Sequence, residues 1–142
     1  MQAHLARIAT ATALAAALVA CSPKPAPIDP QHIATKINAG LPKPYVDGLV
    51  VQHAHADGKR MVIDIRIPFA AAAQIDAAKL PRMREQEQGD LNIAACTDAD
   101  LKALMDAHYG VSRRFLDKDG KTVFEIAALK APNCKLVGGT TP

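Results

Sequence analysis

The chain has 142 residues, which fits one domain with one core and leaves no room for a second enzyme-sized module. Its 17 Lys+Arg against 14 Asp+Glu give a formal net charge of +3, too small an excess to argue for nucleic acid as a partner. Without Trp, and with two Tyr and three Phe, it has little material for aromatic platforms that stack sugars or single-stranded bases. The chain opens on Met1 to Arg7, where Arg7 is the cation of a short basic head. Ile8 to Ala20 then runs for about 13 uncharged residues rich in Ala and Leu, the length of a signal-peptide core and short of the roughly 20 a membrane-spanning helix needs. Residues 1–20 are therefore expected to be a cleaved leader.

Leu18, Val19, Ala20 and Cys21 end that run, and Leu-Val-Ala-Cys resembles the lipobox of bacterial lipoproteins, in which a small residue precedes a cysteine that becomes the acylated first residue. The resemblance implies cleavage before Cys21 and a palmitate-type lipid on it. Two acyl chains plus an amide-linked one hold a protein to a bilayer stably, whereas one chain binds marginally. The alternative is an ordinary secretory signal whose Cys21 pairs with another thiol. No later apolar run approaches spanning length, so lipid at Cys21 would be the membrane attachment. Position 22 is Ser rather than the Asp that, by family analogy, favours inner-membrane retention in enteric bacteria, which points to the outer membrane, facing the periplasm.

Ser22 to Pro30 holds four prolines in nine residues and reads as a semi-extended tether over 21–30, about 25 to 30 Å long. Residues 31–136 form a single domain, and 137–142, with Gly138-Gly139, a flexible tail. The domain begins with a helix over Pro30 to Asn38, stopped by Gly40, with Ile33 and Ile37 on one face. Tyr45 to Ala56 and Lys59 to Ile67 then flank Asp57-Gly58, a two-residue hairpin signal. Turning there puts Val50, Ala54, Met61, Ile63, Ile65 and Ile67 on one face and His53, His55, Arg60, Asp64 and Arg66 on the other.

Phe69 to Lys79 is Ala-rich enough to be helical, and Arg82 to Ala95 favours helix although Gly89-Asp90 interrupts it. Thr97-Asp98-Ala99-Asp100 offers an N-cap, after which Leu101, Leu104, Met105 and His108 recur at helical spacing and Gly110 supplies the stop. A second hairpin, Val111 to Lys118 and Lys121 to Leu129, turns at Asp119-Gly120 and pairs Phe115 with Phe124 and Arg114 with Glu125. The resulting fold class is α+β. Two helix-plus-hairpin units build an antiparallel sheet of about four strands with helices on one face.

With Cys21 given to lipid, Cys96 and Cys134 remain, an even pair in a compartment that permits disulfides. Their bridge closes a loop of about 39 residues, worth roughly 4 kcal/mol in the chain-entropy account. A redox or metal pair is the weaker alternative, since nothing like Cys-x-x-Cys occurs.

His53-Ala54-His55 is the one candidate metal site. Strand alternation sends both imidazoles to the same face, and Asp64 lies diagonal to His53 in the expected register. Two His and a carboxylate suffice for a zinc with an open position, yet Arg60, expected opposite His55, sets a permanent cation beside it. The preferred reading of that face is therefore solvated or partner-facing. His108, at a periodic apolar position, reads as a partly buried core histidine. Glu85 and Glu87 do not share a helix face and read as a solvated stretch. Asp117-Lys118-Asp119-Gly120 begins like a calcium loop but lacks the bidentate Glu, and reads as a turn. No nucleophile elbow, phosphate loop or other cofactor motif is present, so no cofactor and no enzyme activity are expected. Tyr45 and Tyr109 could each anchor a partner or cap the core.

Cys96-x-Asp98-x-x-Leu101-x-x-Leu104-Met105, followed by Tyr109-Gly110-Val111, Phe115, Asp117-x-Asp119-Gly120-Lys121 and Cys134, resembles a small domain of exported bacterial proteins of unassigned function. Leu41-Pro42, Val46-Asp47 and Leu49 resemble the segment that precedes it. The resemblance implies the α+β fold and the disulfide. Bacterial lipoproteins of this size are often binding proteins, such as pilotins, which escort secretion-channel subunits to the outer membrane, or immunity and inhibitor proteins. The expected function is a periplasmic, membrane-tethered, non-enzymatic module that binds an envelope or secreted protein through a sheet edge or the polar hairpin face. The rivals are a metal-binding protein or metal-dependent hydrolase at His53 and His55, and a structural envelope lipoprotein.

Overall fold

A computed structural model describes residues 27–137. The leader, Cys21, the first part of the tether and residues 138–142 lie outside the described residues. The first element, α1 (Pro30–Asn38), has the expected bounds because its start is written locally: Asp29 accepts from the Gln31 N–H at 2.9 Å and Pro30 opens the helix. It buries Ile33 and Ala34.

Strands β1 (Lys43–Pro44), β2 (Val50–Asp57) and β3 (Arg60–Arg66) follow. The β2–β3 turn is Gly58-Lys59, one position later than expected, with Asp57 opposite Arg60. Gly58 at φ 58° occupies the first central position, which glycine fills without steric cost. The slip moves His55 from Arg60 to Val62 and sets Asp64 directly opposite His53. A bulge between Val51 and His53 then reverses the alternation, so Val51 rather than Val50 faces the core.

Beyond Pro68 the expected helix is absent. Residues 69–79 hold only a 3-10 turn at Ala72–Gln74, where a side chain captures the Ala72 N–H that a helix from Phe69 would use. The Ala71 N–H donates to Gln74 Oε1 at 2.9 Å and the Ala72 N–H to Asp117 Oδ2 at 2.9 Å. Helix α2 (Leu80–Thr97) runs for 18 residues through Gly89. Burial of Leu91 and Ala95 outweighs the roughly 1 kcal/mol that glycine costs a helix. Helix α3 (Ala99–Asp106) is capped by Asp98, whose Oδ1 accepts from the N–H groups of Asp100 and Leu101.

That helix stops before His108, which is exposed at φ 63° rather than part of the core as expected. The His108 N–H donates to the Met105 carbonyl and the Tyr109 N–H to that of Leu104, so His108 holds the left-handed closing position that Gly110 was expected to supply. Gly110 instead opens β4 (Gly110–Leu116), where a Cβ would meet Leu129 at 3.2 Å and Arg60 Cγ at 3.3 Å. Strand β5 (Thr122–Ala128) pairs with β4 as expected, Phe115 opposite Phe124 with ring centroids 4.3 Å apart and Arg114 opposite Glu125.

The sheet has five strands in the order β1-β2-β3-β4-β5, and the two hairpins meet with β3 and β4 parallel. The sheet is thus mixed rather than antiparallel throughout, because α2 and α3 carry the chain back to the starting end before β4 begins. The described helices α1 to α3 share one core on one face, with Met61, Ile65, Leu91, Leu104, Val111 and Phe115 fully buried. Cys96, in the last turn of α2, is bonded to Cys134 at the start of α4 (Cys134–Val137), with Cα atoms 5.5 Å apart. On the outer side of β2, Asn38 completes the edge that β1 covers only at Val50 and Val51. Its Nδ2 donates to the Ala54 carbonyl and its Oδ1 accepts from the Ala54 N–H, both at 2.7 Å.

Asp117, fully buried, accepts N–H bonds from Ala72, Asp119 and Lys121 at 2.8 to 2.9 Å, which confirms a turn whose carboxylate is already spent. These bonds, that of Ala72 foremost, hold its carboxyl below the ordinary carboxylate value. A depressed folded-state value adds stability above the unfolded-state value, about pH 4, that is lost as pH falls through the folded one. The melting-temperature gap between wild type and Asp117→Asn is therefore expected to be full near neutrality and to close on acidification. A gap independent of pH would show that the charge contributes nothing.

Candidate functional site

Val111, Arg113 and Phe115 alternate onto the helix-covered face of β4, so Arg113 is driven inward between Ile63 and Ile126. Such a cation needs partners, and two distant elements supply them. Arg113 Nη1 donates to Tyr45 Oη at 2.9 Å and to Glu87 Oε2 at 3.3 Å, while Tyr45 Oη donates to Glu87 Oε2 at 2.8 Å. The Arg113 and Glu87 side chains are 12% and 7% exposed. Glu87 is thus buried on the inner face of α2, where Arg113 awaits it, and is not part of a solvated stretch. Burial first, then the bond to Glu87, pushes the Tyr45 hydroxyl above its ordinary pKa, so it stays protonated. The triad is closed on itself and offers no free base.

It separates two apolar clefts. One, of about 250 Å³, is walled by Val46, Leu49, Ile67, Phe69, Ile75 and Met83, with Glu87 on its inner side. Phe69 at its rim is 66% exposed and Val46 48%, a concentration of apolar side chains in water. The other, of about 440 Å³, lies over the sheet between α1 and the α2–α3 pair. Val51, Ile63 and Ile65 form its floor, Ile37, Ala94 and Leu101 its walls, and Tyr45 and Arg113 one end. Lys36 of α1 reaches Asp100 of α3 at 2.6 Å, which ties the walls together.

The opposite face of the sheet is polar, as expected, but its pairing differs. Arg60 lies opposite Asp57 and bonds Asp57 at 3.1 Å and Glu125 at 3.3 Å, so it is not the cation beside His55. Arg114, on the parallel neighbour β4, takes that place by bonding both oxygens of Asp64 at 2.8 and 3.1 Å. His53, His55 and Asp64 do come together, one ligand atom of each lying within 4.8 Å of the others. Tyr109 packs partly buried against the core. Among the described residues no helix is long and apolar enough to cross a membrane.

Sequence reasoning missed Glu87 and Arg113 as partners. The alternation of Val111, Arg113 and Phe115 was the available signal, and it marked Arg113 as inward without naming what would meet it.

No family model matches the chain, and no curated protein matches it in sequence. Solved structures share its fold. A protein from Pseudomonas aeruginosa assigned as secreted has a TM-score of 0.55 at 16% identity, over 72% of this chain and 87% of that one. The type II secretion system pilotin AspS from Vibrio cholerae has a TM-score of 0.51 at 15% identity, over 71% and 85%. The type 2 secretion pilotin EpsS from Vibrio vulnificus has a TM-score of 0.51 at 17% identity, over 74% and 87%. At these identities the likeness establishes the fold.

Proposed function

We propose that this chain is a lipid-tethered protein of the bacterial envelope whose domain binds another protein without catalysing a reaction, in the manner of a pilotin. Cys21 is its acylated anchor, residues 21–30 its tether and 31–136 its binding domain, held at the periplasmic side of the outer membrane. The observation that carries the reading is the cleft of about 440 Å³ between α1 and the α2–α3 pair, where Ile37, Ile63 and Ala94 are only partly buried. The fold it shares with two pilotins supports the same conclusion. The occupant that fits is a segment of a secretion-channel subunit with apolar side chains for Ile37, Ile63 and Ala94. This cleft joins the sheet edge and the polar hairpin face as a candidate surface, and Asn38 and β1 occupy much of the edge at β2.

Ala94→Trp adds bulk to this cleft from its α2 wall. Cross-linking and affinity capture from envelope extract are expected to recover a secretion-channel subunit with the wild-type chain and to lose it with the variant, while the melting temperature is kept. Equal recovery by both would place the partner elsewhere. Mass spectrometry of Cys21 tests the anchor separately.

A further inference from the structure

Behind the sheet, away from both clefts, two imidazoles and a carboxylate converge. His53 and His55 stand two apart on β2 and so share a face, and the observed register puts Asp64 of β3 directly across from His53. The rings stack with centroids 5.5 Å apart and 24° between their planes. Nδ1 of His55 faces Asp64 Oδ2 at 3.8 Å, beyond hydrogen-bond reach, and is shielded from solvent with no partner among the described residues. A shielded ring nitrogen aimed at a carboxylate yet not bonded to it is an arrangement a cation between the two would satisfy.

We propose that His53, His55 and Asp64 form a binding site for a first-row divalent transition metal of the zinc, copper and nickel class. Two imidazoles and one carboxylate are the donors such ions select, whereas magnesium and calcium require oxygen throughout. Bonds of about 2.0 to 2.2 Å around a tetrahedral ion place ligand atoms about 3.4 Å apart, so the cluster, now within 4.8 Å, closes by up to about 1.4 Å, within reach of ring rotation at exposed His53. Arg114 spends one lone pair on each Asp64 oxygen and leaves the others, so it fixes the carboxylate as outer hydrogen bonds fix metal ligands generally. Its charge moderates the affinity. Arg60 is held by Asp57 and Glu125, and Arg66 by Gln52 and the Lys118 carbonyl, so neither is free to enter. The fourth coordination position opens to solvent, on a face remote from the clefts, and the site stands whether or not the binding role proposed above does.

Metal-stripped protein titrated with zinc chloride and copper chloride tests this by calorimetry, with the histidine ring signals followed by NMR. One ion per chain is expected to bind with micromolar affinity, shifting His53 and His55 but not His32 or His108. His53→Ala and His55→Ala are each expected to weaken binding about tenfold or more, and His32→Ala to leave it unchanged. Both positions are accessible enough for the variants to fold, which unchanged metal-free melting confirms. Absence of saturable binding, an equal response to magnesium chloride, or affinity untouched by the two variants would overturn the site.

Discussion

Arg113→Met is expected to destabilise the domain by about 3 to 5 kcal/mol, because it strands the Glu87 carboxylate under α2 without a counter-charge. Tyr45 alone would remain to bond Glu87 Oε2, and one hydroxyl does not replace a guanidinium. The double variant Arg113→Met with Glu87→Leu is expected to recover most of the loss, since removing both charges leaves an apolar layer rather than a half-satisfied one. What stays lost is the Tyr45 hydroxyl, now lacking its acceptor, at about 1 to 3 kcal/mol unless it reaches water through the adjoining cleft. Urea midpoints at constant slope measure each step. A single variant as stable as the double would show that the triad is no structural unit.

Cys96→Ala with Cys134→Ala is expected to cost about 3 to 4 kcal/mol, the closure entropy of a loop spanning a sequence separation of 38. That loop encloses α3, β4 and β5, so the bridge fastens the segment after the last strand to the helix that covers it. Amide exchange is expected to rise first around α4 and the last turn of α2, while the β2–β3 pair keeps its protection. Unchanged thermal melting in the double alanine variant would remove the bridge from any account of stability.

What could be read from the sequence was whatever local chemistry decides. Asp29 and Pro30 announce the start of α1, and Asp119-Gly120 fixes a register in which Phe115 must meet Phe124. Three features were hidden because their causes lie far away along the chain or leave no mark. The Ala-rich stretch 69–79 fails to become helix because Asp117 takes the Ala72 N–H. The bulge after Val51 carries no glycine or turn residue to betray it. The parallel seam between β3 and β4 depends on how α2 and α3 return the chain, which no window of residues contains.

The site divides in the same way. Spacing on one strand was enough to pair His53 with His55, and a hairpin was enough to bring Asp64 near. That Arg114 rather than Arg60 stands beside them followed from a one-residue shift of the turn and from the parallel neighbour. The Tyr45–Glu87–Arg113 triad joins three elements separated by up to 68 residues, and only the finished fold brings them together.

Asn38 offers Ala54 the same donor and acceptor that a passing peptide unit would. A carboxamide in that place makes the domain deaf to main chains there: an extended peptide that slides along this side of β2 finds the central hydrogen-bonding position already answered. Neighbouring copies crowded on one surface are likewise prevented from zipping together along it. Recognition on this side of the sheet is thereby left to side chains meeting side chains, so that it discriminates among sequences instead of accepting any extended segment.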